Sequence, residues 1–173
     1  MNFTVVGAGY VGLSLAVLIS QKFRVNLIDI DQKKVSLINS KKSPIRDTDI
    51  EDFLLKKKLN LITSTNSKDA YKNSDFVIVA TPTNYDSNEG TFDTSSVEEV
   101  INEAISMNPD AYIIIKSTIP LGFTDEMRVK FKTNKICFSP EFLREGRALH
   151  DNLYPSRIIV GDLSEKAEIF AKV

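Results

Sequence analysis

The chain has 173 residues and a formal net charge of -1, with 42% hydrophobic and 26% charged residues, enough for one sizeable domain that buries roughly 70% of its unfolded surface. So even a charge gives no bulk attraction for nucleic acid or an anionic membrane, and the apolar stretches at 76–80 and 111–115 are strand-sized, too short to span a bilayer. One cysteine, Cys137, cannot form an internal disulfide, and Met1 leads straight into the apolar run Phe3-Thr4-Val5-Val6 rather than a leader, so a cytoplasmic protein is expected.

Short apolar runs alternate with amphipathic stretches. The strands predicted in chain order are residues 3–6, 25–30, 59–63, 76–80, 112–115, 135–138 and 157–160, and the helices are 10–21, 32–39, 50–57, 67–71, 95–107 and 124–132. Several runs are apolar at consecutive positions, as in parallel strands buried on both faces. The alternation implies a doubly wound α/β domain, with a mostly parallel sheet of six or more strands and helices on both faces. Lys56, Lys57 and Lys58 form the densest basic run and read as the solvated end of a helix.

Between the first strand and the first helix stands Gly7-Ala8-Gly9-Tyr10-Val11-Gly12, a match to G-x-G-x-x-G. The triplet alone is a weak signal; its setting strengthens it. A strand precedes it, Val11, Leu15, Leu18 and Ile19 give the next helix an apolar face, and a second strand ends at Asp29, roughly 20 residues on. Gly7 then makes the tight turn, Gly9 lets a pyrophosphate approach the backbone, and Gly12 lets the helix pack close to the strand. The helix N-terminus offers free N–H groups and partial positive charge to the phosphates. A carboxylate at Asp29 can accept hydrogen bonds from both adenosine ribose hydroxyls and repels a 2′-phosphate, so NAD rather than NADP is the expected cofactor of this Rossmann arrangement. Asp31 reads as the N-cap of the next helix. Lys34 reads, from the residues alone, as a surface lysine within reach of the ribose or a phosphate.

The longest turn-rich segment, residues 81–94, contains Pro82, Asn84, Asp86, Asn88, Gly90 and Asp93. It follows a strand at the edge where open α/β sheets bind ligands, and position alone leaves a binding loop and a plain surface loop equally open. Lys116-Ser117-Thr118-Ile119-Pro120-Leu121-Gly122 begins at the next strand end; its hydroxyl pair either faces a ligand or serves turn and cap chemistry. Ser139-Pro140-Glu141-Phe142-Leu143-Arg144-Glu145-Gly146 follows the sixth run. If helical, it puts Glu141 and Glu145 on one face, one toward a nicotinamide and the other toward substrate or water; the alternative is a capped turn with solvated acids. Cys137, inside an apolar strand, reads as a small core hydrophobe. His150 is the only histidine and makes no metal site. Ser164 reads as an N-cap with Glu165 and Glu168 in the first turn; that helix stops at Val173 after about two turns, so truncation of a longer chain is expected.

These segments resemble the UDP-glucose/GDP-mannose dehydrogenase family. The resemblance runs in family order through Gly7 to Gly12, Asp29, Ala80-Thr81-Pro82-Thr83, Lys116-Ser117-Thr118-Ile119-Pro120, Ser139 to Gly146 and Tyr154-Pro155-Ser156-Arg157. Its most specific string is Glu-Phe-Leu-Arg-Glu-Gly. The resemblance implies an enzyme that oxidises a sugar 6-hydroxyl to a carboxylate in two steps with two NAD⁺, taking UDP-glucose to UDP-glucuronate. The alternatives are a UDP-hexosamine or GDP-mannose substrate, or a stand-alone NAD-binding module without catalysis. Together with the glycines and Tyr10, it assigns Val11, Asp29, Lys34, Thr83, Thr118 and Glu145 to NAD. It assigns Glu141, Phe142, Leu143, Arg144 and Glu145 to the sugar nucleotide, and Thr118 with Glu141 or Glu145 to the positioning or activation of water. The family's nucleophilic cysteine, with its lysine, asparagine and aspartate partners, lies in a later domain, and nothing here matches that motif. Residues 1–173 therefore read as the cofactor half of the enzyme, cut before a central helix and a second, substrate-binding domain. The full-length protein is expected to be a homodimer serving nucleotide-sugar metabolism and polysaccharide biosynthesis, and the fragment alone to be inactive.

Overall fold

In the computed structural model of the chain, residues 1–87 and 90–173 are described. The first half runs β1 (Asn2–Val6), α1 (Tyr10–Ser20), β2 (Arg24–Ile28), α2 (Gln32–Asn39), α3 (Thr48–Lys56), β3 (Leu61–Ser64), α4 (Lys68–Tyr71) and β4 (Phe76–Val79). The second runs β5 (Asn84–Asp86), β6 (Thr91–Asp93), α5 (Ser95–Met107), β7 (Tyr112–Ile115), α6 (Phe123–Lys130), β8 (Ile136–Phe138), α7 (Ala148–Leu153) and α8 (Glu165–Ala171). Six of these strands form one parallel sheet in the order β3-β2-β1-β4-β7-β8, as expected for a Rossmann domain.

The central strands β4 and β7 are apolar at consecutive positions because both faces of the sheet are covered there. Phe76 and Ile78 of β4 face a core shared with α1, α3, α7 and α8, whereas Val77 and Val79 face a second core with α4, α5 and α6. Each large side chain buried this way contributes roughly 1.5–3 kcal/mol. The connection order reverses between β1 and β4, which are neighbours in register from Phe3↔Phe76 to Val6↔Val79. One successor strand is laid on each side, so the loops after β1 and β4 diverge and leave a crevice at their carboxyl ends.

Three expectations are corrected. Residues 157–160 are not a strand: Ser139 Oγ donates to the Ile159 carbonyl at 2.7 Å, and the next link is Gly161 N–H to the Phe138 carbonyl at 2.8 Å. The segment runs beside β8 without a ladder, leaving Ile158 and Ile159 exposed. The loop after β4 holds an antiparallel hairpin, β5 with β6, closed by Tyr85 against Phe92 with ring centroids 5.0 Å apart; Asn88 of that segment lies outside the described residues. Residues 139–147 are irregular rather than helical, so Glu141 and Glu145 share no helix face. No helix among the described residues is long and apolar enough to cross a membrane.

The sequence reading passes over α7, which has only six residues and starts at Arg147 without a capping side chain of its own. Its cap comes from afar. Asp47 is 3% exposed; its Oδ1 accepts the Asp49 and Ile50 N–H groups at 3.1 Å, capping α3, while Oδ2 accepts the Leu149 N–H at 3.3 Å. One carboxylate thus ends two helices. Asp47→Ala is expected to cost about 2 kcal/mol in urea unfolding, from a lost cap and an unpaired buried N–H. Asp47→Asn, which keeps one oxygen, should cost about half of that. A loss below about 0.5 kcal/mol for the alanine variant, the range of ordinary surface substitutions, would contradict this role.

Candidate functional site

The loop from β1 to α1 is shaped by its glycines in distinct ways. Gly7 has φ +103°, and a Cβ there would lie 2.4 Å from the Ala80 carbonyl oxygen. A Cβ on Gly12 would lie 1.8 Å from the Gly7 carbonyl oxygen. These two positions admit only glycine because β1, α1 and the end of β4 meet there. At Gly9 a Cβ would meet nothing within 4 Å; the space beside it is open cleft. Gly9 is also the N-cap of α1, with no side-chain cap bond and no acidic residue in the first turn. The helix therefore presents uncapped N–H groups and the positive end of its dipole to whatever fills that space.

Asp29 directly follows β2 and is 8% exposed. Its Oδ2 accepts the Ala8 N–H at 2.7 Å and its Oδ1 the Asp31 N–H at 2.8 Å. A carboxylate has about four lone-pair positions, so acceptor capacity remains after the backbone has fixed its orientation. Lys34 Nζ lies 3.5 Å from Asp29 Oδ2, nearer the site than a plain surface lysine. Asp31 caps α2 by accepting the Lys33 N–H at 2.8 Å, as read from the sequence.

One cleft follows the carboxyl edge of the sheet. Gly7, Gly9, Tyr10, Val11, Asp29 and Lys34 line its first half, and Thr83, Thr118, Glu141 and Glu145 line the rest. Ser117 is buried and bonds back to the Thr81 carbonyl at 2.7 Å, fixing the end of β7 against the loop after β4; Thr118 next to it is exposed to the cleft. Gly12 sits behind the wall. Phe142 lies in a second groove, under Arg157 at 5.1 Å. Leu143 and Arg144 line neither.

Arg144 is instead a clamp. Its Nε and terminal nitrogen donate to the Asp151 oxygens at 3.0 and 2.8 Å, and its backbone N–H adds a third bond at 2.9 Å. These bonds hold the Asp151 carboxyl well below the usual carboxylate range. The stabilisation from this pairing is therefore fully present above the ordinary carboxyl value of about 3.9 and is lost as pH falls below it toward the lowered folded value. It ties the loop bearing Glu141 and Glu145 to α7. Sequence reading missed Asp151 along with α7, and it left Lys116 unassigned. Lys116 lies in both grooves, its Nζ 3.1 Å from Glu141 Oε2; a lysine ending an apolar strand was the available signal.

Cys137 is fully buried, and that burial pushes its thiol up to about 11, which leaves it protonated and a poor nucleophile at neutral pH. Among the described residues no group of three His, Cys, Asp or Glu side chains is placed to hold a metal.

Residues 1–173 match the NAD binding domain of the UDP-glucose/GDP-mannose dehydrogenase family. The chain is 52% identical over 169 residues to a UDP-glucose 6-dehydrogenase of Streptococcus pneumoniae, covering 98% of this chain and 43% of that protein. It is 49% identical over 166 residues to one of Campylobacter jejuni, covering 95% of this chain and 42% of that protein. Among solved structures it resembles a GDP-mannose dehydrogenase of Pseudomonas aeruginosa, with TM-score 0.87 and 26% identity over 99% of this chain and 43% of that one. A UDP-glucose dehydrogenase of Pyrobaculum islandicum gives TM-score 0.85 and 26% identity, over 98% of this chain and 42% of that one. The chain thus spans less than half the length of these relatives.

The glycines give a direct test. Gly9→Val should leave the circular dichroism and melting of the chain near native and weaken NADH binding, read by fluorescence, at least about tenfold, because the side chain fills open cleft. Gly12→Val should cost about 3 kcal/mol or more of stability through overpacking. Native-like NADH affinity in the Gly9→Val variant would remove this loop from the site.

Proposed function

The chain belongs to the UDP-glucose/GDP-mannose dehydrogenase family as its NAD-binding domain, and we propose that it is the cofactor-holding half of an enzyme that oxidises UDP-glucose to UDP-glucuronate. The observation that carries this reading is the cleft. A ligand-sized space beside Gly9, an uncapped helix N-terminus and a backbone-oriented carboxylate at Asp29 stand along one edge of the sheet. These features fit a dinucleotide: N–H groups for the pyrophosphate, an acceptor for the ribose hydroxyls, and a negative charge opposed to a 2′-phosphate. Bound NAD⁺ supplies the hydride acceptor.

The chain's own residues would divide the work along the cleft. The first turn of α1 holds the pyrophosphate, Asp29 with Lys34 beside it holds the adenosine ribose, and Thr83 and Thr118 line the far half. Glu141 and Glu145, on the loop clamped through Arg144, orient the sugar or a water at the nicotinamide end. UDP-glucose is favoured by the substrate in the names of the relatives at 52% and 49% identity. GDP-mannose has the support of a solved structure of close fold, so the substrate test includes it. A second, substrate-binding domain following this one, with the thiol that Cys137 does not provide, completes the proposal.

Two measurements test it. Calorimetry on the chain should show NAD⁺ bound at least about tenfold tighter than NADP⁺, a difference of about 1.4 kcal/mol, with the gap narrowed in Asp29→Asn. Asparagine is the more informative change, because it keeps one acceptor oxygen, whereas alanine would leave both the Ala8 and Asp31 N–H groups without an acceptor. The 173-residue chain should form no NADH from NAD⁺ and UDP-glucose, while the chain joined to the remainder of the protein should form two NADH per sugar. Equal affinity for the two cofactors would sink the NAD assignment; turnover by the chain alone would sink the division into halves.

A further inference from the structure

The cluster with the most chemistry outside the dinucleotide positions is Lys116 with Glu141 and Ser139. The Lys116 side chain is 7% exposed, and its Nζ lies 3.1 Å from Glu141 Oε2. Its hydrogen bond goes elsewhere, to Ser139 Oγ at 3.2 Å, and the Ser139 hydroxyl donates in turn to the Ile159 carbonyl at 2.7 Å. Glu141 Oε2 is buried yet accepts no hydrogen bond. The Lys116–Glu141 contact is therefore coulombic, with the ammonium anchored through Ser139 rather than through the carboxylate.

Both residues line the dinucleotide cleft and the groove behind it, so the pair is part of the wall between them. Three strand spacings, about 14 Å, separate the end of β2 from the end of β7. With the adenosine at Asp29, as proposed above, the opposite end of the cofactor reaches this pair. The nicotinamide ring carries a positive charge when oxidised and none when reduced, so a fixed charge beside it acts on one form only.

We propose that the Lys116–Glu141 ion pair sets the relative affinity of the chain for oxidised and reduced cofactor. With both charges present they offset each other at the ring. Without the ammonium, the carboxylate attracts the oxidised ring and leaves the reduced one unaffected; without the carboxylate, the ammonium repels the oxidised ring. Other charges matter less. Glu145, exposed on the same cleft, is unchanged in every variant and cancels from the comparison, and Asp29 and Lys34 lie at the far end of the cleft, beyond a Debye length of about 8 Å.

The inference rests on the dinucleotide reading of the cleft, and the test separates the two. The chain is titrated with NAD⁺ and with NADH as the native protein, as Lys116→Met, as Glu141→Gln and as the double variant. Lys116→Met should shift the affinity ratio toward NAD⁺ by about fivefold or more, and Glu141→Gln should shift it toward NADH by a similar factor. The double variant should return near the native ratio. Partial unfolding of a variant lowers both affinities together and leaves the ratio unchanged, so a purely structural role is distinguishable. Ratios that stay native in both single variants, or that move in the same direction, overturn the inference while native binding upholds the cleft. A native chain that binds neither form overturns the reading of the cleft and the inference with it.

Discussion

The Ala8 N–H donates to Asp29 Oδ2 at 2.7 Å, joining the glycine turn after β1 to the residue that ends β2. Both residues are buried, and an unpaired group in their place would cost about 1–3 kcal/mol. That bond sets the mouth of the cleft. It holds the turn so that Gly9 faces open space, and it aims the carboxylate along the same edge. The close approach of Gly12 to Gly7, and of Gly7 to Ala80, fixes α1 and β4 against the same turn. Three elements and a carboxylate are thereby locked before any ligand arrives, so little ordering remains for the ligand to supply.

The far half of the cleft is held by longer reaches of chain. Ser117 pins the end of β7 to the loop after β4, and Arg144 pins the irregular loop after β8 to Asp151 of α7. Asp47 caps α7 from a residue 102 positions away. At the other end of the sheet, Tyr112, Asp162 and Ser164 form a hydrogen-bonded cluster, with Arg128 beside Asp162. Burial and the Asp162 carboxylate raise the Tyr112 hydroxyl far above its ordinary value, so it stays a proton donor to that carboxylate. This cluster draws the start of α8 onto the sheet. The pairs at the carboxyl edge, Asp29 with Lys34 and Glu141 with Lys116, line open cleft, whereas Asp162 at the amino edge is engaged by Tyr112, Ser164 and Arg128.

What was legible in the sequence was local. Short apolar runs marked the six strands, and the glycine spacing with Asp29 marked the first half of the cleft, because both patterns are set by residues close together along the chain. Residues 157–160 carry the same apolar signature and are not a strand, since a ladder needs a partner in register and β8 is only three residues long. The hairpin after β4 reads as turn residues because its strands are equally short. Arg144 belongs to the most specific string in the chain, yet its side chain pairs with Asp151, whose place on a six-residue helix no local pattern signals. The Lys116–Glu141 pair spans two strand ends, and only the sheet order brings them together.

In the proposed function the carboxyl edge, from Asp29 across the glycine turn to Thr118, acts as one dinucleotide site. Amide chemical-shift mapping of the ¹⁵N-labelled chain during titration with NAD⁺ reads that edge residue by residue. The largest changes should fall at Gly9, Tyr10, Val11, Asp31, Thr83 and Thr118, with none at the polar groove around Asn26, Ile62 and Asn73 on the uncovered face of β2 and β3. Changes centred on that groove, or none at the glycine turn with saturating NAD⁺, would place the cofactor elsewhere.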